Sequence, residues 1–91
     1  MVIMYNIVYR KKALKDIDML KLNNLSEKAK GLIDIIRNNP FQNPPPYEKL
    51  IGDLEGAYSR RINVKHRLVY QVDIDKKIVK IISMWSHYEN I

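Results

Sequence analysis

Cysteine is absent from this chain of 91 residues, which excludes disulfide staples, thiolate nucleophiles and zinc sites built on sulfur. Glycine is scarce, with three residues, and the chain holds neither a glycine-rich phosphate loop nor a GxSxG nucleophile turn. The two histidines, His66 and His87, stand 21 positions apart, and the acidic residues fall mostly in turns and on helix faces. No metal site and no cofactor are therefore expected. No apolar run approaches the roughly 20 residues that a membrane span needs. The opening Met1-Val2-Ile3-Met4-Tyr5 is too short for a signal peptide. A cytoplasmic protein without membrane contact is expected. The length allows a single domain over residues 1–91, burying roughly 60–68% of its unfolded surface.

What the chain has in excess is positive charge. Sixteen Lys and Arg against ten Asp and Glu leave +6, which suits a polyanionic partner, either nucleic acid or an acidic protein, and equally well serves solubility alone. Residues 1–46 spread eight cations and four acids along helical faces. Residues 60–67, Arg60-Arg61-Ile62-Asn63-Val64-Lys65-His66-Arg67, concentrate four cations and a histidine with no acid. That is a local basic patch.

Met4 to Tyr9 is rich in β-branched and aromatic residues and predicts a strand. From Arg10 to about Asn23, Leu14, Ile17, Leu20 and Lys21 recur at helical spacing. Asn23-Asn24 breaks that helix, and Ser26 is the expected N-cap of a second. Ala29, Leu32, Ile33 and Ile36 form its apolar face, and Asn38-Asn39-Pro40 stops it. Pro44-Pro45-Pro46 make a stiff connection that can neither donate to a ladder nor extend a helix. After a turn rich in glycine and acid (Gly52, Asp53, Glu55, Gly56), three strands are expected over 57–62, 66–72 and 77–85. Their links are short enough for hairpins. In the last of them Val79, Ile81, Ser83 and Trp85 share one face by alternation. The order β-α-α-β-β-β predicts an α+β fold, two N-terminal helices packed on a mainly antiparallel sheet.

Three groups of residues remain that can carry chemistry: Glu48, the basic cluster 60–67, and His87-Tyr88. Each alone has an ordinary structural reading. Together they match one reaction. Metal-free RNA cleavage needs a base for the 2′-OH, a cation for the charge gathering on phosphorus, and an acid for the leaving 5′-oxygen. Glu, Arg and His can fill these roles, and the requirement for a 2′-OH directs the reaction to RNA rather than DNA.

Tyr58-Ser59-Arg60-Arg61-Ile62, His66-Arg67-Leu68-Val69-Tyr70 and Trp85-Ser86-His87-Tyr88 resemble the Txe/YoeB group of the RelE superfamily of bacterial toxins. Pro40-Phe41, Glu48-Lys49-Leu50 and Leu54-Glu55-Gly56 fit the same pattern in order and spacing. The resemblance implies a RelE-like microbial RNase fold. It also implies a ribosome-dependent mRNA endonuclease acting in the aminoacyl site, with a cognate antitoxin of the YefM/Axe kind as partner and operator DNA reached only through that antitoxin. By position, Glu48 matches the general base, Arg67 the cation that stabilises the transition state, His87 the general acid and Tyr88 the aromatic that helps place RNA. Arg60 and Arg61 match the basic pair, and Lys65, His66 and Lys49 join them as expected RNA contacts. Being adjacent on a strand, Arg60 and Arg61 should face opposite sides.

Two departures from the pattern stand out. Ile51 occupies a position where close relatives have Lys, and an extended backbone would put Lys49 on the same face as Ile51. The chain also runs past Tyr88 through Glu89-Asn90-Ile91. Two rival readings are a basic module that only binds an acidic antitoxin, and a degenerate toxin acting as an antitoxin-bound co-repressor. Glu48, His87 and Tyr88 together favour the enzyme, because pure charge pairing has no use for them. Tyr58, Met84 and Trp85 serve either the core or a surface for an antitoxin or a homodimer, with core packing expected for at least one face of the last strand.

Overall fold

A computed structural model describes residues 4–52 and 56–87, the side chain of His87 excepted. Asp53 and Glu55 of the expected acidic turn, Leu54 of the family pattern, and Tyr88 lie outside the described residues. The elements are β1 (Asn6–Tyr9), α1 (Lys11–Leu22), α2 (Ser26–Asn38), β2 (Glu48–Lys49), β3 (Ala57–Arg61), β4 (His66–Asp73) and β5 (Ile78–His87). Five strands form one sheet in the order β1-β5-β4-β3-β2. β1 pairs parallel with β5, and every other pairing is antiparallel. The expected α+β arrangement is present, with a two-residue strand added beside β3.

The helices cover one face of the sheet. Ala29, Leu32, Ile33 and Ile36 of α2 are buried there together with Leu68, Tyr70, Val79 and Ile81 of the sheet. The stripe expected on α2 is the stripe observed. α1 differs: its buried residues are Ala13, Asp16 and Leu20, while Leu14 is 51% exposed. The helix is rotated because Asp16 has a partner that Leu14 could not serve. Its Oδ2 accepts the backbone N–H of Met84 at 3.0 Å.

That N–H needs a partner because β5 is irregular. Between the pairs Tyr70↔Ile81 and Arg67↔Ser86, three steps along β4 face five along β5. The extra residues leave the ladder locally unpaired, and a carboxylate from α1 supplies the missing acceptor. The irregularity also breaks the alternation expected along β5. Met84, not Ser83, joins the main core. Losing this bond leaves a buried N–H unsatisfied, a cost of about 1–3 kcal/mol. Asp16→Ala should therefore lower stability in chemical denaturation by about that amount, and Asp16→Asn, which keeps an acceptor, by less. Equal midpoints for Asp16→Ala and wild type would remove this role.

Ser26 does not cap α2. The cap position falls on Leu25, and no side chain caps the helix. The turn between the helices is short, with Asn24 in the left-handed region (φ 58°), a conformation Asn tolerates. Ser26 is thereby drawn into the helix as its first residue. Leu25 packs against the main core instead, so apolar contact replaces a side-chain cap.

Candidate active site

The face of the sheet away from the helices carries the candidate site. Register partners project on the same side. Glu48 stands opposite Ser59, Arg61 opposite Arg67, and Arg67 opposite Ser86. Glu48, Arg61, Arg67 and Ser86 are thus gathered near the end of the sheet where β5 finishes. Beside them on the same face Leu50, Ala57 and Val69 form a second small core with Ile82 against it, which supports the strands carrying the site.

Glu48 and Arg67 meet directly. Arg67 Nη2 donates to Glu48 Oε1 at 2.8 Å and Nη1 donates to Oε2 at 3.1 Å. Two parallel bonds between a guanidinium fork and a carboxylate fix geometry as well as energy. The Arg67 side chain is 6% exposed and that of Glu48 55%, so the cation is fixed in the sheet and the carboxylate stands at its rim. The hydrogen bonds from Arg67 hold the Glu48 carboxyl below its ordinary value of 4.5; partial desolvation opposes this, and the charges of Arg67 and Arg61 add to it. Glu48 is therefore ionised at neutral pH. Because its folded value is lowered, the stability it contributes is present above about pH 4.5 and lost as pH falls through the folded value.

Pro46, Glu48, Arg61 and Arg67 line an open cleft of about 250 Å³. An ionised carboxylate beside two guanidinium groups can take a proton from a substrate while the cations face an adjoining anion. Among the described residues, no group of three or more His, Asp or Glu side chains is placed to hold a metal ion. No described helix is long and apolar enough to cross a membrane.

The basic stretch 60–67 is divided by the sheet. Arg61 is exposed and Arg60 is buried, so the two do face opposite sides. Arg60 is fully buried on the helix side, where it donates to protein carbonyls. The guanidinium expected to meet RNA phosphate is, in this fold, committed to those carbonyls. His66 is also buried, and its ring stacks on Trp85 with centroids 3.5 Å apart and planes 13° apart. The ring that the sequence offered as an RNA contact is packed within this fold.

Lys65 is exposed in the turn between β3 and β4. Lys49 is exposed too, but its ladder partner is Tyr58, so it projects on the opposite side from Glu48. Extension of the backbone at this point therefore turns Lys49 away from the carboxylate. His87 is the last residue of β5 and pairs with His66, one step beyond Ser86. Of the surface candidates, Met84 lies in the core, and Tyr58 and Trp85 pack against it.

A family model described as "YoeB-like toxin of bacterial type II toxin-antitoxin system" matches residues 9–88. The chain belongs to the YoeB-like toxin family. It is 43% identical over 58 residues to a Toxin YoeB of Synechocystis sp., an overlap of 64% of this chain and 65% of that relative. The chain thus spans just under two thirds of the length of that curated relative. Among solved structures, a YoeB-YefM toxin-antitoxin complex from Staphylococcus aureus is similar, with 38% identity, a TM-score of 0.76 and coverage of 92% of this chain and 98% of that one. A YoeB/ParE toxin from Agrobacterium tumefaciens superposes with a TM-score of 0.82 at 29% identity, covering 91% of this chain and 99% of that one.

In this YoeB-like chain, two residues beside the site escaped the reading of sequence. Pro46 lines the cleft, yet in sequence it is one of three prolines in a connection. Ser86 stands opposite Arg67 and its hydroxyl hydrogen-bonds that of Ser83. Only the irregular register of β5 brings it there, and period-two alternation carries no trace of such an irregularity.

Proposed function

We propose that this chain is the toxin of a type II toxin–antitoxin system. It cleaves mRNA in the aminoacyl site of the ribosome, in the cytoplasm, and is neutralised by a cognate antitoxin of the YefM/Axe kind. The observation that carries this reading is the paired Glu48 and Arg67 at the rim of an open cleft, close to the strand end that bears His87. The family adds support, since a similar solved structure is a YoeB-YefM toxin-antitoxin complex.

The reaction needs no cofactor. The Glu48 carboxylate takes the proton of a ribose 2′-OH, and the freed oxygen attacks the neighbouring phosphorus. Arg67 neutralises the charge that builds on the phosphoryl oxygens, and protonated His87 gives its proton to the departing 5′-oxygen. Tyr88 helps to seat the RNA. An incoming phosphate competes with Glu48 for the Arg67 guanidinium, which loosens the carboxylate and makes it a stronger base as the substrate arrives. The products carry a 2′,3′-cyclic phosphate and a 5′-hydroxyl. Analysis of the fragment ends from a translated message tests this directly, and a 5′-phosphate would mean attack by water and end the roles given to Glu48 and His87.

Arg61 and Lys65 draw in the phosphate backbone. Affinity for ribosomes or RNA should fall steeply with salt, and the logarithmic slope should drop by about one unit or less in Arg61→Ala and in Lys65→Ala. Affinity that ignores salt would assign these cations to the antitoxin or to solubility.

A further inference from the structure

The three prolines before Glu48 create a problem that one buried side chain solves. Pro44, Pro45 and Pro46 have no N–H, so this stretch cannot be fixed by a strand ladder. Arg60 fixes it from inside. Its Nη1 donates to the carbonyl of Pro45 at 2.7 Å. Its Nη2 donates to the carbonyls of Pro40 at 3.0 Å and Gln42 at 2.9 Å. Its Nε donates to the Tyr70 hydroxyl at 3.1 Å, and that hydroxyl donates in turn to the Pro40 carbonyl at 2.7 Å. The guanidinium also lies 5.0 Å from the centroid of the Tyr47 ring, which packs edge-on against Tyr58.

Two of these contacts lead straight to Glu48. Tyr47 is its immediate neighbour in sequence, and Pro45 adjoins Pro46, which shares its cleft; its ladder partner Ser59 directly precedes Arg60 on β3. The two-residue β2 is a short anchor by itself. A buried cation is a weak source of net stability, because desolvation offsets much of what its partners return. A planar fork with five donors in fixed directions is well suited to positioning.

We propose that Arg60 is a positioning residue, clamping residues 40–47 so that Glu48 stands against Arg67 at the cleft. The functional part of this rests on Glu48 as the general base. Arg60→Lys keeps the charge but cannot reach three carbonyls and a phenol at once. In that variant Glu48 should loosen from Arg67, and its carboxyl, followed by carbon NMR in the free chain, should titrate closer to 4.5 than in wild type. Single-turnover cleavage of ribosome-bound message should fall about 10–10²-fold, with ribosome affinity unchanged. The loss should vanish in a Glu48→Gln background, whereas a general loss of folded protein would persist there.

An unmoved Glu48 titration overturns the clamp. So does wild-type cleavage by Arg60→Lys when Glu48→Gln is impaired, or a loss that persists undiminished beside Glu48→Gln. Should Glu48→Gln itself cleave normally, the base assignment fails and the NMR titration alone decides whether Arg60 sets Glu48. If Arg60→Lys does not fold, Tyr70→Phe, which removes one hydroxyl from the clamp, faces the same outcomes.

Discussion

Naked RNA should be cut by this chain more than about 10³-fold more slowly than the same message on a translating ribosome, since positioning of a reactant can supply roughly 7–11 kcal/mol. The reason lies in how little the site offers to hold a flexible strand. Among the described residues its cleft is lined by Pro46, Glu48, Arg61 and Arg67, and in the free chain the proposed base and the proposed cation are bonded to each other. An RNA strand arriving from solution must displace that pair, surrender its own freedom and present its 2′-oxygen in line with phosphorus. A ribosome that already fixes the message removes most of the second and third costs. The measurement is single-turnover cleavage of one transcript, free and on purified translating ribosomes, at one salt concentration. Equal rates would mean that the chain positions RNA by itself, and the ribosome would leave the proposal.

The elements of this fold were legible where local pattern and tertiary demand coincide. On α2 the apolar stripe and the buried stripe are the same four residues. The hairpins joining β3, β4 and β5 follow from short links between runs rich in β-branched residues. The opposite facing of Arg60 and Arg61 needs only period two. Illegible features depend on partners distant in sequence. Asp16 looks like one more surface acid until the unpaired N–H of Met84 is placed above it, and then it displaces Leu14 from the buried face.

The basic patch shows the same limit. Counted along the chain, residues 60–67 are one cluster; in space the sheet assigns Arg60 to the proline carbonyls, His66 to Trp85 and Arg67 to Glu48. Of the four cations in that stretch, only Arg61 and Lys65 are exposed. Composition measures charge, whereas geometry decides what the charge faces.

Substitution of the proposed base and acid should separate chemistry from binding. Glu48→Gln keeps the size and an acceptor oxygen but cannot take a proton, and His87→Gln cannot give one at neutral pH. Each should lose about 10²–10⁴ in cleavage rate, the range for general acid–base groups, while ribosome co-sedimentation stays at the wild-type level. Glu48→Gln also breaks the fork with Arg67, so Arg67 becomes more available to phosphate and affinity should not decline. Arg67→Ala should differ in kind. In the proposed reaction its charge faces the phosphate both before and during bond-making, so affinity and rate should fall together. It also leaves the exposed Glu48 carboxylate without the bonds that lower its pKa, and a carboxylate facing an incoming phosphate repels it. Folding is checked in each variant by near-UV circular dichroism. Wild-type cleavage by all three folded variants would move the reaction to another part of the chain, and a lost affinity in Glu48→Gln would recast Glu48 as a structural partner of Arg67 rather than a base.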